Sequence, residues 1–149
     1  MGTHLHDTGE EAMLRDFFTE DLAKPASLTI GLFSDSTASL TDGEDVADLA
    51  NEPTGTSYSR QTVSFGTTDF TVEDNANNNW QAVISDVTFD TSDSTEAVDA
   101  YFVIINFQAN DKGDMSASDH LLFTGNLDQE YNLSGIDSFT LSGAGLSLN

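Results

Sequence analysis

Tyr101-Phe102-Val103-Ile104-Ile105 is the stretch that decides the fold. Successive apolar residues of this kind have no polar face to turn to water. A strand built from them must be covered on both sides, which is the position of a central strand. The run is far shorter than the roughly 20 residues of a membrane-spanning helix. Outward from it the pattern stays β. Leu28, Ile30 and Leu32 alternate with Thr29, Gly31 and Phe33, predicting a first strand. Val63 and Phe65 mark a second strand, and Phe70 and Val72 a third. Trp80, Ala82 and Ile84 share one parity while Val87 and Phe89 take the other. That flip predicts a bulge near Ser85-Asp86, or a break between two strands. Leu121-Leu122-Phe123 gives a further strand, and Phe139, Leu141, Leu146 and Leu148 close the chain around Ser142-Gly143-Ala144-Gly145.

Many short strands with turn signals between them predict a mainly β, antiparallel β-sandwich of the jelly-roll or immunoglobulin-like kind. One domain over residues 1–149 is the expectation, since domains run to about 100–200 residues. Trp80, Ile84, Val103, Ile105 and Leu122 are the expected core. Ahead of the strands, residues 8–23 read as an amphipathic helix. Thr8-Gly9-Glu10-Glu11 has the spacing of a capping box, and Met13, Leu14, Phe17 and Phe18 fall on one helical face. That face either docks a partner or packs on the chain's own sheet, and packing is the plainer expectation. Pro25 limits how far the helix extends. The long polar connection over 34–59 is expected to hold at most one short helix, around residues 44–50, and connections of that length usually carry contacts or function.

Charge sets the class. There are 26 Asp+Glu against 4 Lys+Arg, a net charge of −22 in 149 residues. Low hydrophobicity with high charge signals disorder, but here 38% of the residues are hydrophobic and they sit in strand-length blocks. A folded domain this acidic repels itself in dilute buffer. Molar salt shortens the screening length to about 3 Å and relieves it. The reading is a surface suited to high salt. Arg15 and Arg60 are too few for ordinary nucleic-acid binding, which needs clustered cations. Cations, basic surfaces and other subunits remain as partners. Cysteine is absent, so thiolate chemistry and disulfides are excluded. Residues 1–20 are polar and acidic, unlike a secretory leader. A soluble protein made in the cytoplasm, with no membrane partner, is expected.

No residue pattern predicts catalysis. With so many acids, any carboxylate pair can be drawn, and a pair alone says nothing about a glycosidase-like site. Asp111, Asp114 and Asp119 with Gly113, and Asp90, Asp93 and Glu96, are the two loops where Ca²⁺ or Mg²⁺ would be sought. Neither has the EF-hand pattern, and solvated acidic loops are the plainer reading. No cofactor is therefore expected. His4-x-His6 lacks a third ligand in sequence, and His120 opens a strand. There is no Gly-x-Ser-x-Gly elbow. Asn132-Leu133-Ser134 matches a glycosylation sequon only as short motifs often do by chance.

Several short motifs together resemble a group of tailed-phage virion proteins. These open with a short amphipathic helix, here Gly9-Glu10-Glu11-Ala12-Met13-Leu14. A strand of the form L-x-x-x-L-F-x-(N/D) follows, here Leu28-Thr29-Ile30-Gly31-Leu32-Phe33-Ser34-Asp35. Ala47-Asp48-Leu49-Ala50-Asn51-Glu52 and Gly55-Thr56-Ser57-Tyr58-Ser59-Arg60 correspond to "ADL-x-E" and "G-Y-x-R". In the family Gly and Tyr are adjacent, whereas here Thr56 and Ser57 intervene. The "LLF-x-G-x-L" segment over 121–127 and the terminal β segment over 139–148 extend the likeness across most of the chain. The resemblance implies a non-enzymatic structural component of a virus particle, with no catalytic residue to carry over. Joined to the acidic surface, it implies a tailed virus of haloarchaea or halophilic bacteria. The expected role is capsid decoration or a vertex turret, as a homo-oligomer located in the virion. Its partners would be copies of itself and major capsid or tail proteins. A tail, baseplate or fibre-attachment protein is the runner-up, and a halophilic Ca²⁺- or carbohydrate-binding module is the competitor from another class.

A subunit interface is expected where acids are sparse, because facing acidic patches repel. Residues 53–65 contain no acid, and residues 139–149 are nearly uncharged. Tyr58, Arg60, Val63, Phe139, Leu141 and Leu146 are the candidate interface residues, with Arg60 pairing either across the interface or within its own subunit.

Overall fold

In a computed structural model, residues 3–18, 25, 27–75, 79–106 and 119–147 are described. They form a mainly β structure of antiparallel sheets with a helix near the N-terminus. β1 (Thr3–Leu5) leads into α1 (Asp7–Phe18), followed by β2 (Ser27–Phe33) and the four-residue α2 (Asp35–Ala38). A single 3-10 turn at Val46–Asp48 precedes β3 (Gln61–Ser64), β4 (Phe70–Asn75), β5 (Asn79–Ile84) and β6 (Val87–Asp90). The long strands β7 (Ala97–Asn106) and β8 (Asp119–Asn132) come next, then β9 (Ser138–Leu141) and β10 (Gly145–Ser147). A five-stranded sheet runs β1-β8-β7-β2-β3, a three-stranded sheet β10-β5-β4, and β6 pairs with β9.

Residues 101–105 are the centre of the molecule, as their composition requires. All five are buried on β7, between β2 and β8. Tyr101, Val103 and Ile105 face one cluster, with Leu28, Ile30 and Leu32 of β2 and with Ile84, Phe89 and Leu141 from the smaller sheets. Ala100, Phe102 and Ile104 face the other, with Phe33, Leu121 and the side chains of Ala38, Leu40, Val46 and Leu49. The 34–49 connection is therefore the lid of the second cluster, and it holds two short helical pieces where one was expected.

Carboxylates pin that lid. Asp99 accepts from the backbone amides of Asp35 (2.7 Å) and Ser36 (3.2 Å). Asp45 caps the 3-10 turn and accepts from Leu121 N at 2.7 Å. The two residues that separate Gly55 from Tyr58 make a turn closed by Tyr58 N donating to Gly55 O at 3.2 Å.

The parity flip at Ser85-Asp86 is a break. β5 ends at Ile84 in one sheet and β6 begins at Val87 in another. A bulge does occur in β8, where Val103 pairs with Phe123 but Ile104 with Leu121, so Leu122 is skipped. Leu122 and Phe123 consequently join the same cluster.

That bulge seats α1. His6 N donates to Leu122 O at 3.2 Å, and Thr8 Oγ1 donates to Leu121 O at 2.7 Å. The expected capping box does not form, because the helix begins at Asp7 and Thr8 lies inside it. Tertiary contact takes the hydroxyl that a cap would have used. α1 approaches so closely that a Cβ on Gly9 would stand 2.2 Å from Leu122 O. The described helix ends at Phe18, and the expected residues 19–23 lie outside the described residues.

Candidate docking groove

The face of α1 was expected to be covered by its own sheet. Instead its buried residues are Gly9 and Ala12. Met13 is 39% exposed, Leu14 58%, Phe17 80% and Phe18 73%. Small residues let the helix backbone sit on the β8 bulge, and the large apolar residues are left outside. Phe17 and Phe18 pack edge-to-face on one another, ring centroids 5.0 Å apart.

Across from α1, the three-stranded sheet turns one apolar face inward. Phe70 pairs with Ile84, Val72 with Ala82 and Asp74 with Trp80, so these six share that face, and Leu146 pairs with Ala82 from the other side. Ile84 is in the core, but the face continues beyond it. Val72 is 67% exposed and Trp80 60%. The expectation that Trp80 is buried therefore fails. Its parity was read correctly, but its strand runs past the edge of the packed cluster.

Between the helix and this ribbon lies a groove of about 640 Å³. Its floor is core: Leu28, Ile105, Leu122 and Phe123. Met13 comes from the helix side and Val72 from the ribbon, and Phe65 and Phe70, their rings stacked at 6.0 Å, also line it. Asp16 is the one ionisable side chain among its described lining residues. The arrangement can bury apolar side chains. It offers no acid–base pair or chelating set among those residues.

The candidate interface residues are placed differently from one another. Leu146 lines the groove. Val63, Phe139 and Leu141 are buried within the chain. Tyr58 stacks on Phe89 at 5.7 Å, and its hydroxyl accepts from Leu32 N at 2.9 Å. Burial raises the Tyr58 pKa well above the usual phenol range. Arg60 pairs within its own subunit. Its Nε and Nη2 donate to the two oxygens of Glu52, each at 2.7 Å, and its guanidinium lies 5.0 Å from the centre of the Phe102 ring. Scarcity of acid marked these segments in sequence, and the fold uses most of that apolar material inside. Sequence reasoning did mark Met13, Leu14, Phe17 and Phe18 as one apolar face, but it missed Val72 as an exposed wall. The available signal was the continuation of the Trp80 parity onto a short edge ribbon.

The acids of the 90–96 loop accept hydrogen bonds from within the chain. Asp90 accepts from Ser92 N and Oγ, Asp93 from Thr56 Oγ1 and Ser57 N, and Glu96 from Thr54 N and Thr95 N. The Ser92 bonds hold the Asp90 carboxyl below its usual range, and the Thr56 bond does the same for Asp93. Asp119 accepts from Asn106 Nδ2 at 2.8 Å, while Asp111, Gly113 and Asp114 lie outside the described residues. No group of three or more metal-ligating side chains occurs among the described residues.

The histidines gather near one loop. His4 pairs with Asp42, and His120 Nδ1 lies 3.3 Å from Asp45 Oδ2. His6 is fully buried with Nε2 3.2 Å from Thr124 Oγ1. Burial first, and then the neighbouring His4, lowers the His6 pKa.

No family model matches the chain, and no curated protein or solved structure matches it.

Proposed function

We propose that the protein is a non-enzymatic structural component of a tailed-virus particle adapted to high salt, a capsid decoration or vertex-turret protein. We read its antiparallel layers as a sandwich of the jelly-roll or immunoglobulin-like kind. The observation that carries the assembly reading is α1. A helix that lines an apolar groove through Ala12 and Met13 and keeps Phe17 and Phe18 in water has the character of an assembly surface, because soluble monomers rarely leave large contiguous apolar patches exposed. The motifs shared with tailed-phage virion proteins support the viral part. The net charge of −22 supports the high-salt part.

Peptide mass spectrometry of purified particles from a halophilic host carrying the gene tests membership. Peptides of this chain should be present at a stoichiometry fitting a repeated component, and their absence sinks the viral reading. Thermal melts over a NaCl or KCl series test the adaptation. The melting temperature should climb from dilute buffer to molar salt as repulsion is screened. A flat profile would remove the high-salt reading and leave the assembly reading standing.

A further inference from the structure

We propose that the groove between α1 and the β4–β5 ribbon receives an amphipathic segment of another protein, with large apolar side chains on one face and Lys or Arg at its flanks. The proposal rests on the assembly reading for its site, and it adds the chemistry of the occupant. The walls and floor are apolar, and the volume of about 640 Å³ lies within the roughly 300–1,000 Å³ of pockets that enclose ligands. The apolar face of the occupant follows from that lining.

The flanks follow from charge. Asp16 lines the groove on the helix side, and Asp74 lies on the ribbon one same-face cross-strand pair beyond the lining pair Val72–Ala82, in register with Trp80; both are exposed. A cation beside Asp74 would also lie near the exposed Trp80 ring, whose face attracts ammonium and guanidinium groups. Pairs formed at the edge of a filled apolar groove are screened less than fully exposed ones, so the preference persists in salt.

A second copy fits this rim poorly. Its own large exposed apolar residues sit on the acidic helix α1 or, as Val72 and Trp80, beside Asp74 on the ribbon, so docking would bring carboxylates against carboxylates. Its described arginines are engaged, Arg15 with Glu11 and Arg60 with Glu52. Lys24 and Lys112 lie outside the described residues.

Trp80 is the single tryptophan and shares a ribbon face with Val72 and Ala82, which line the groove, so its emission should respond to an occupant that reaches along the ribbon. The full chain is titrated, in moderate and in molar salt, with a synthetic tryptophan-free Leu/Lys amphipathic peptide and with a Leu/Glu peptide of the same pattern. The Leu/Lys peptide should give a saturable blue shift, at least about tenfold tighter than the Leu/Glu peptide, equivalent to about 1.4 kcal/mol. Val72→Asp should weaken it by a similar factor with an unchanged melting temperature, since Val72 is largely exposed. Non-specific attraction to an acidic protein predicts the reverse, because the variant adds an acid.

No saturable shift, equal affinity for the two peptides, or an unchanged Val72→Asp variant would each overturn the proposal. So would a concentration-dependent shift without peptide that tracks dimer mass in sedimentation, which assigns the groove to a second copy. A shift of the same size with neutral lipid vesicles would assign it to a membrane surface. The titration uses no virus particle, so its failure removes the occupant while mass spectrometry still decides particle membership.

Discussion

The two faces of the five-stranded sheet are built from the same strands and end differently. Phe33, Phe102, Ile104 and Leu121 are sealed under the 34–49 connection. On the opposite face, Leu28, Ile105 and Leu122 are covered by other strands but also form the floor of an open groove. The difference lies in what covers each face. One continuous segment, fastened through Asp99 and Asp45 to backbone amides, closes the first. Separate pieces, the β4–β5–β10 sheet, the β6–β9 pair and α1, cover the second and leave a mouth between them. A chain poor in Lys and Arg cannot fasten its loops with many salt bridges. It uses carboxylates as acceptors for backbone N–H groups instead, and these charge-assisted bonds are among the stronger hydrogen bonds.

The largest expected effect belongs to the sealed face. Phe102 is fully buried, packs against Phe33 at 6.0 Å between centroids, and has Arg60 over its ring. Phe102→Ala should cost about 3–5 kcal/mol, because the surrounding sheet and lid cannot collapse into the space. Phe17→Ala, on the exposed end of α1, should stay within about 0.5 kcal/mol. Urea unfolding of the two variants makes the comparison. Equal losses would mean that the two regions are not the sealed and open faces described.

A smaller effect is expected at the joint that holds the groove open. A methyl on Gly9 would meet the Leu122 carbonyl, which is backbone and cannot swing aside. Gly9→Ala should destabilise by about 1–3 kcal/mol through overpacking, even though alanine is the better helix former. It should also shift Trp80 emission or abolish the peptide response, since the Met13 wall moves with the helix. A more stable variant would place α1 farther from β8 than the structure does.

The contrast between the faces was only half legible in sequence. Residues 101–105 announced a doubly covered strand because apolar side chains on both parities leave no alternative. Leu28, Ile30 and Leu32 announced their neighbour by alternation. What covers each side was not legible, since it depends on pairing between residues distant in sequence. Asp99 and Asp45 looked like any other surface acid until the fold brought amides to them. The apolar face of α1 was visible at helical spacing, but its exposure was not. That outcome turns on Gly9 and Ala12, whose small size lets the other side of the helix win the contact. Trp80 misled because burial follows the length of the opposing layer, and parity gives only the direction of a side chain.

The smallest expected effect sits where the two regions meet, and it is a pH dependence. Asp7 N donates to Asp42 O at 3.1 Å, so α1 is tied there to the lid. His6 is buried at this point, facing His4, Asp42 and Asp45. Its folded pKa is lowered, by burial above all and then by His4, against the partial opposition of Asp42 and Asp45. The unfolded chain therefore binds this proton more readily than the folded one, and stability falls as pH drops below about 6.5. Asp45 acts lower on the scale. Burial pushes its pKa up, but hydrogen bonds from Leu121 N, Val46 N and His120 together leave it lowered. Its contribution is present above the usual carboxylate range, about 3.9, and is lost only as pH falls through the still lower folded value. Melting temperatures at constant molar salt should thus decline in two stages, and His6→Gln should remove most of the first while leaving the second. If the first stage persists in His6→Gln, the junction between lid and helix is not the pH-sensitive point.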